Sequence, residues 1–301
     1  MNMTHYSVML NETIEVLKIN PSGIYVDATL GGGGHSELIL KQLTSGHLYA
    51  FDQDSYAITK AQSRLQKYEN NLTIIKSNFL YIKEELLKLG ITKIDGIIFD
   101  LGLSSFQIDD STRGFSYMSD SLLDMRMDLN SSFSAFNIVN EYSYTSLRDI
   151  FFKYGEEKNA SNIAKVIIER RPLSTTKEIV DICDKLNYKE KGHSSKKVFQ
   201  ALRIETNNEI KILENTLVKV LPLLKTGGII AVISFHSLED RIVKHFFLDN
   251  AKTNIPKEIV ILNAEKPPLT ILTRHPILPS DKEILENSRS KSAKLRAAIK
   301  N

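Results

Sequence analysis

The stretch Ile24-Tyr-Val-Asp27-Ala-Thr-Leu-Gly31-Gly-Gly-Gly34-His35-Ser36 limits what the rest of the chain can become. Apolar and β-favouring residues run into an acid, then into four consecutive glycines, then into a segment from Glu37 to Leu43 that reads as a helix. Strand, glycine turn and helix in that order is how an α/β sheet makes room for a nucleotide-like cofactor. Glycine lets backbone come close to a ligand, and the helix N-terminus offers free N–H donors. Four glycines alone would also serve a plain flexible turn. The next strand favours the ligand. Gly46-His-Leu-Tyr-Ala-Phe-Asp52 is a short apolar run that ends in an acid. It follows the glycines by about 20 residues, which puts a carboxylate at the tip of the neighbouring parallel strand, within reach of both ribose hydroxyls.

The loop is not a phosphate-gripping G-x-x-x-x-G-K-[ST], since no lysine follows the glycines. The frame Gly31 to Ser36 also lacks the third glycine of a dinucleotide fingerprint. Asp27, on the first strand, would repel a pyrophosphate and suits a cationic sulfonium and amino group better. S-adenosyl-L-methionine is therefore favoured over NAD.

A chain of 301 residues, 42% apolar and 25% charged, can bury a full core as an ordinary globular protein. Its net charge of +3 does not by itself argue for nucleic acid, but the distribution is uneven. Asn287 to Asn301 holds five Lys or Arg and no acid, and Lys185 to Arg203 holds six basic residues against Glu190. Such blocks are solvated faces or phosphate footprints, and the second reading predicts strongly salt-dependent binding. One cysteine, Cys183, excludes an internal disulfide and fits a reducing compartment. No run of about 18 apolar residues and no basic-then-apolar leader is present, so the chain reads as cytoplasmic, with no membrane partner.

A short amphipathic helix is expected before Pro21, then strands at Ile24–Asp27, Leu48–Asp52, Leu72–Lys76 and Ile94–Asp100, with helices at Ala57–Tyr68 and Tyr81–Leu89 between them. That alternation predicts an α/β, doubly wound, Rossmann-like sheet. After Gln107 it stops. Helical stretches at Thr145–Phe152, Ala160–Arg170, Thr176–Leu186 and from Val198 onward read as an inserted all-helical domain. The expected division is 1–107 and 205–301 for a discontinuous sheet domain and 108–204 for the insertion. A helix Asn208–Leu224, a stop at Lys225–Gly228 and a strand Ile229–Phe235 would resume the sheet. Runs at Glu258–Leu262 and Leu295–Ile299 could form an edge hairpin, joined by an irregular, proline-rich connection.

Ligands in such a sheet sit outside the carboxyl ends of the strands. Asp27, Asp52, Phe79, Asp100, Ser234 and His236 all fall at such ends. Asp100-Leu-Gly-Leu-Ser104-Ser105-Phe-Gln107 offers carboxylate, hydroxyl and amide groups able to position an amine. Asp100, Ser104, Ser105 and His236 are the candidates for the chemistry. His236-Ser-Leu-Glu239-Asp240 is not a hydrolase triad, because sequence neighbours do not form one and no G-x-S-x-G elbow occurs. No zinc spacing occurs either, so no metal is expected. Cys183 reads as a small buried residue in a helix.

Several long blocks resemble a known family: His5 to Leu10, Val26 to Ser36, Asp95 to Ser105, Arg113 to Tyr117, Leu123 to Asp128, Tyr154 to Glu157, Phe199 to Ile204, Val232 to Lys244 and Arg289 to Arg296. In this order they are similar to the bacterial 16S rRNA (cytosine-N4)-methyltransferases, the family called RsmH or MraW. The resemblance implies a methyltransferase domain carrying an inserted helical substrate-recognition domain. It also implies S-adenosylmethionine-dependent methylation of the exocyclic N4 amine of a decoding-centre cytidine in 16S rRNA of the small ribosomal subunit. The cofactor contacts it implies fall on Gly33, Gly34, His35, Asp52, Phe79, Asp100 and Gln107. Phe106 and Ser121 stand where the family commonly has proline, and His193-Ser-Ser-Lys-Lys197 replaces a His-Pro-Ala-Thr-Arg loop. Exposed helices of the insertion could pair two copies into a homodimer. A nicotinamide-dependent oxidoreductase and a non-catalytic RNA-binding protein are the two other classes compatible with the glycines and the basic blocks.

Overall fold

A computed structural model describes residues 7–188, 192–252 and 266–301. The chain opens with α1 (Leu10–Leu17) and then alternates through β1 (Ile24–Asp27), α2 (Gly34–Gln42), β2 (His47–Asp52), α3 (Ser55–Leu65), β3 (Leu72–Lys76), α4 (Ile82–Lys88) and β4 (Ile94–Asp100). A helical run follows: α5 (Ser105–Asp109), α6 (Ala135–Glu141), α7 (Tyr144–Gly155), α8 (Ala160–Arg170), α9 (Thr176–Leu186), α10 (Lys196–Asn207) and α11 (Glu209–Val220). The chain then completes β5 (Leu224–Ser234), α12 (Ser237–Asn250), β6 (Leu269–Ile271), α13 (Asp281–Glu286) and β7 (Lys294–Lys300). It divides into two compact units, residues 1–102 with 212–301, and residues 103–211.

In the first unit the described strands form one sheet in the order β3-β2-β1-β4-β5-β7-β6. The first five run parallel, and β7 enters antiparallel between β5 and β6. The connections leave β1 in one direction and β4 in the other, so the strand order reverses between these two neighbours, where open α/β sheets bind ligands. β4 holds the centre because Ile97, Ile98 and Phe99 are fully buried. One face of the sheet is covered by Ile14 and Leu17 of α1, Ile39 of α2 and Ala61 and Leu65 of α3. The other is covered by Ile82 and Leu86 of α4, Leu213 and Leu217 of α11 and Phe247 of α12. Strands covered on both sides need continuous apolar runs, and β4 and β5 supply them.

In the second unit α6 to α10 close around Leu147, Phe151, Ile163, Ile167, Ile179, Ile182, Phe199 and Leu202. Cys183 belongs to this core and is fully buried, and burial pushes its thiol up to about 12. Thr175 and Glu178 form the capping box that starts α9.

Three elements differ from the sequence expectation. The helix expected to reach Leu224 ends at Val220, where a 3-10 turn with Pro222 intervenes. Lys225 to Gly228, read as a stop, lies inside β5. Gly227 takes φ +83° there, and the register slips between Ile94↔Leu224 and Gly96↔Ile229. The glycines thus make a bulge rather than an end. The partner of β7 in the edge hairpin is β6, a three-residue strand within the proline-rich connection. The run Glu258–Leu262 lies outside the described residues.

Candidate functional site

The carboxyl ends of β1, β2 and β4 carry three acids of the first unit, each held differently. Asp27 is 1% exposed. One of its oxygens accepts the Thr29 N–H at 3.0 Å and the other accepts the Ser36 hydroxyl at 2.7 Å. It therefore straps the glycine turn to the first turn of α2 from beneath. Burial raises its carboxyl from 3.8 to about 6, against the pull of those two hydrogen bonds. Sequence reasoning turned Asp27 towards a ligand, whereas in the fold both its oxygens are engaged inside the protein.

Asp52 is more open. Its Oδ2 accepts the Gly31 N–H at 2.9 Å and its Oδ1 accepts the Asp54 N–H at 2.9 Å. The Gln53 N–H bonds it as well, which leaves the carboxylate room to accept a hydroxyl proton without giving up the turn. Burial raises this carboxyl too, to about 6. Gly31 and Gly33 have φ of +49° and +76°, and Gly33 leads directly into α2, which has no side-chain cap. A Cβ on Gly34 would collide with Ser7 Oγ, so Ser7 lies against this glycine.

Asp100 ends β4, and its backbone N–H donates to Thr29 Oγ1 at 2.7 Å. Its Oδ2 lies 3.7 Å from Nδ1 of His35, whose Nε2 donates to the Val8 carbonyl at 3.1 Å. Its Oδ1 is buried and has no hydrogen-bond partner among the described residues. Desolvation, then the charges of Asp27, Glu239 and Glu283, hold the Asp100 carboxyl well above the usual range. Phe79 follows Asn78, the cap of the turn after β3, and sets its ring edge-on to Phe99 of β4 at 5.7 Å. The first unit thus brings Gly33, Gly34, His35, Asp52, Phe79 and Asp100 to one end of its sheet.

His236 is the N-cap of α12. Its Nδ1 accepts the Glu239 N–H at 3.4 Å, and its Nε2 lies 3.2 Å from Glu239 Oε1 without hydrogen-bond alignment. Glu239 Oε2 in turn accepts the Phe235 N–H at 2.8 Å. With 9% of its side chain exposed and both nitrogens turned to Glu239, His236 serves the start of α12. In the second unit, Ser104 and Gln107 form a reciprocal pair. Gln107 Oε1 accepts the Ser104 N–H at 3.1 Å, and Ser104 Oγ accepts the Gln107 N–H at 3.3 Å, which caps α5. Ser105 is the first residue of that helix.

Thr29, Glu239 and Glu283 were missed in the sequence. His236-x-x-Glu239 has the spacing of a capping box, a readable signal. Thr29 and Glu283 carried none. The basic blocks are partly internal: Asp240 binds Arg296 at 2.6 Å and Lys294 at 3.2 Å, and Glu209 binds Arg203 at 2.8 Å. Among the described residues no helix is long and apolar enough to cross a membrane.

An acid at each of three strand tips, a left-handed glycine turn and the reversal of strand order between β1 and β4 make a nucleotide-type pocket. Residues 2–301 match the model of the MraW methylase family. The chain belongs to that family. It is therefore a methyltransferase, with the Rossmann-like α/β sheet of the S-adenosylmethionine-dependent enzymes. Ribosomal RNA small subunit methyltransferase H 1 of Acholeplasma laidlawii is 58% identical over 298 residues, 99% of each chain. Ribosomal RNA small subunit methyltransferase H of onion yellows phytoplasma is 50% identical over 304 residues, the whole of both. A crystal structure of an rRNA methylase from Streptococcus thermophilus covers 96% of this chain and 91% of its own, at 14% identity and a TM-score of 0.41.

Proposed function

We propose that this protein methylates the exocyclic N4 amine of a decoding-centre cytidine in 16S rRNA, with S-adenosylmethionine as donor. The family supports methyl transfer, and the names of its relatives support small-subunit rRNA as the substrate class. The observation that carries the reading for this chain is Asp100 Oδ1, a buried acceptor without a partner among the described residues, beside a turn built for close backbone approach. A buried, unpaired carboxylate oxygen is costly unless a ligand satisfies it.

The residues fit the cofactor. Asp52 has room to accept from a ribose hydroxyl, and Phe79 offers a ring to an adenine. The backbone at Gly33, Gly34 and His35 would face the methionyl part, whose positive charge suits the acids at β1 and β4. When bound, S-adenosylmethionine supplies an electrophilic methyl on a sulfonium.

The chain's own residues have two tasks. A cytosine amine is a poor nucleophile because its lone pair is delocalised into the ring, so it must be held in line with the methyl. The positive charge of the cofactor would favour the ionised form of Asp100, whose Oδ1 would then accept an amine hydrogen and take the proton that the amine loses on transfer. Ser104 and Gln107, paired with each other at the start of α5, are the candidates of the second unit for holding the base or the cofactor. His236, engaged with Glu239, is the weakest of the four candidates for the chemistry. The base must leave its stack to be reached, and the helical unit would serve substrate recognition.

The test uses small ribosomal subunits from cells lacking the protein, incubated with it and labelled S-adenosylmethionine. The rRNA is then digested to nucleosides for mass spectrometry. One new N4-methylated cytidine is the expected result. Label that is bound but never transferred would move the reading to another acceptor.

A further inference from the structure

We infer that Glu283 is a positioning residue for the cofactor pocket, acting through a strap formed by Ser7, Val8 and Met9. The α1 helix starts without a side-chain cap: its N-cap is Met9, in the left-handed region at φ 51°. A non-glycine residue keeps that conformation only where its surroundings impose it. Here they do, because the Met9 side chain is fully buried and its N–H donates to Glu283 Oε1 at 2.7 Å. A carboxylate far along the chain thus takes the place of a local cap and sets a negative charge at the positive end of α1. Ser280 Oγ caps the helix that carries it, accepting the Glu283 N–H at 3.2 Å.

The strap held in this way touches the glycine turn twice. Ser7 Oγ fills the space that a Cβ on Gly34 would need, and the Val8 carbonyl accepts the proton on His35 Nε2. Because a carbonyl can only accept, Nε2 carries the hydrogen and Nδ1 is left facing Asp100 Oδ2 at 3.7 Å. The tautomer of His35, and the direction in which its ring points, therefore depend on where Val8 sits. Glu283 fixes that position from α13, and its charge also reaches Asp100.

The experiment compares the full-length protein with Glu283→Leu and Glu283→Gln. Glutamine keeps an oxygen that can accept the Met9 N–H, whereas leucine keeps bulk and loses the acceptor. Three quantities are read: S-adenosylmethionine affinity by calorimetry, the His35 tautomer by long-range 15N–1H spectra, and hydrogen exchange of the α1 amides. The leucine variant should bind the cofactor about tenfold more weakly, as expected for one lost ordering hydrogen bond. It should lose the fixed Nε2–H tautomer of His35 and exchange its α1 amides faster. The glutamine variant should stay within about twofold of the parent. A leucine variant with parental affinity and a parental His35 spectrum overturns the inference, and so does a glutamine variant that falls equally far. If leucine prevents folding, Glu283→Asp withdraws the carboxylate by one methylene and must shift affinity and tautomer in the same direction. A parental result there also overturns it. The binding readout rests on the S-adenosylmethionine reading. If the unaltered protein binds none, that reading fails, while the tautomer and α1 exchange still decide the role of Glu283.

Discussion

Replacing Asp27 by asparagine should stabilise the sheet unit at neutral pH, against the usual expectation for a buried, hydrogen-bonded acid. The carboxyl lies beneath the glycine turn, 1% exposed, with its proton affinity raised from 3.8 to about 6. At about 1.4 kcal/mol per pH unit, its ionised form is about 3 kcal/mol less favourable in the fold than in the unfolded chain. The sign follows from proton uptake. Between about pH 4 and pH 6 the folded state binds more protons at this group than the unfolded state does, so its contribution to stability falls as pH rises through that window and is level above it. Asparagine keeps an oxygen for the Thr29 N–H and an amide for Ser36 Oγ, but has nothing to ionise. The variant should match the parent near pH 4 and exceed it by about 2 to 3 kcal/mol at pH 7.5. Native-state hydrogen exchange of the β1 and β4 amides, read by mass spectrometry from pH 4 to pH 8, measures this difference. A difference that does not change with pH, or a variant less stable at pH 7.5, would refute the placement of an ionisable Asp27 in a desolvated site. Cofactor affinity should move the other way, since a cation loses an attractive charge with Asp27→Asn.

Gly33→Ala places a Cβ 3.1 Å from Leu65 Cδ1 at φ +76°, so calorimetry and thermal melts should show a loss of about 1 to 2 kcal/mol together with weaker cofactor binding. Asp100→Asn should leave the fold intact, because the Thr29 contact uses the Asp100 backbone, and should slow methyl transfer on the order of a hundredfold. Full rate with full cofactor affinity would remove Asp100 from the site. Asp240→Asn takes the charge from a partner of Arg296, whose residue is 8% exposed, and should cost about 2 kcal/mol in urea unfolding with no change in cofactor affinity.

Much of the sheet was legible because its strands announce themselves. β1 and β4 are apolar runs that stop at an acid, and the glycines between β1 and α2 mark the turn. β6 was not legible, since three residues carry no periodicity and only the register Leu269↔Lys300 makes them a strand. Gly227 and Gly228 misled because a helix stop and a strand bulge both need a residue free of Cβ strain. In the site, spacing led to Asp52 and Asp100 but could not reveal which oxygens were already taken. Asp27 looked ligand-facing until Ser36 and Thr29 were seen to hold it. Glu283 meets Met9 across 274 positions of sequence, a distance no local pattern spans.

The place of β7 has a consequence for how the protein is made. This strand is last in chain order among the described residues, yet it sits inside the sheet, bonded to β5 on one side and β6 on the other. During synthesis on the ribosome, every other strand emerges before it. Until Lys294 to Lys300 arrive, β5 presents the backbone of Ile229 to Ser234 as an unpaired, strongly apolar edge, and β6 has no neighbour at all. Such an edge is a template for pairing with another nascent chain. A chain halted before Lys294 would therefore carry a sheet that is sticky rather than merely incomplete, and Lys294 to Lys300 act as its seal.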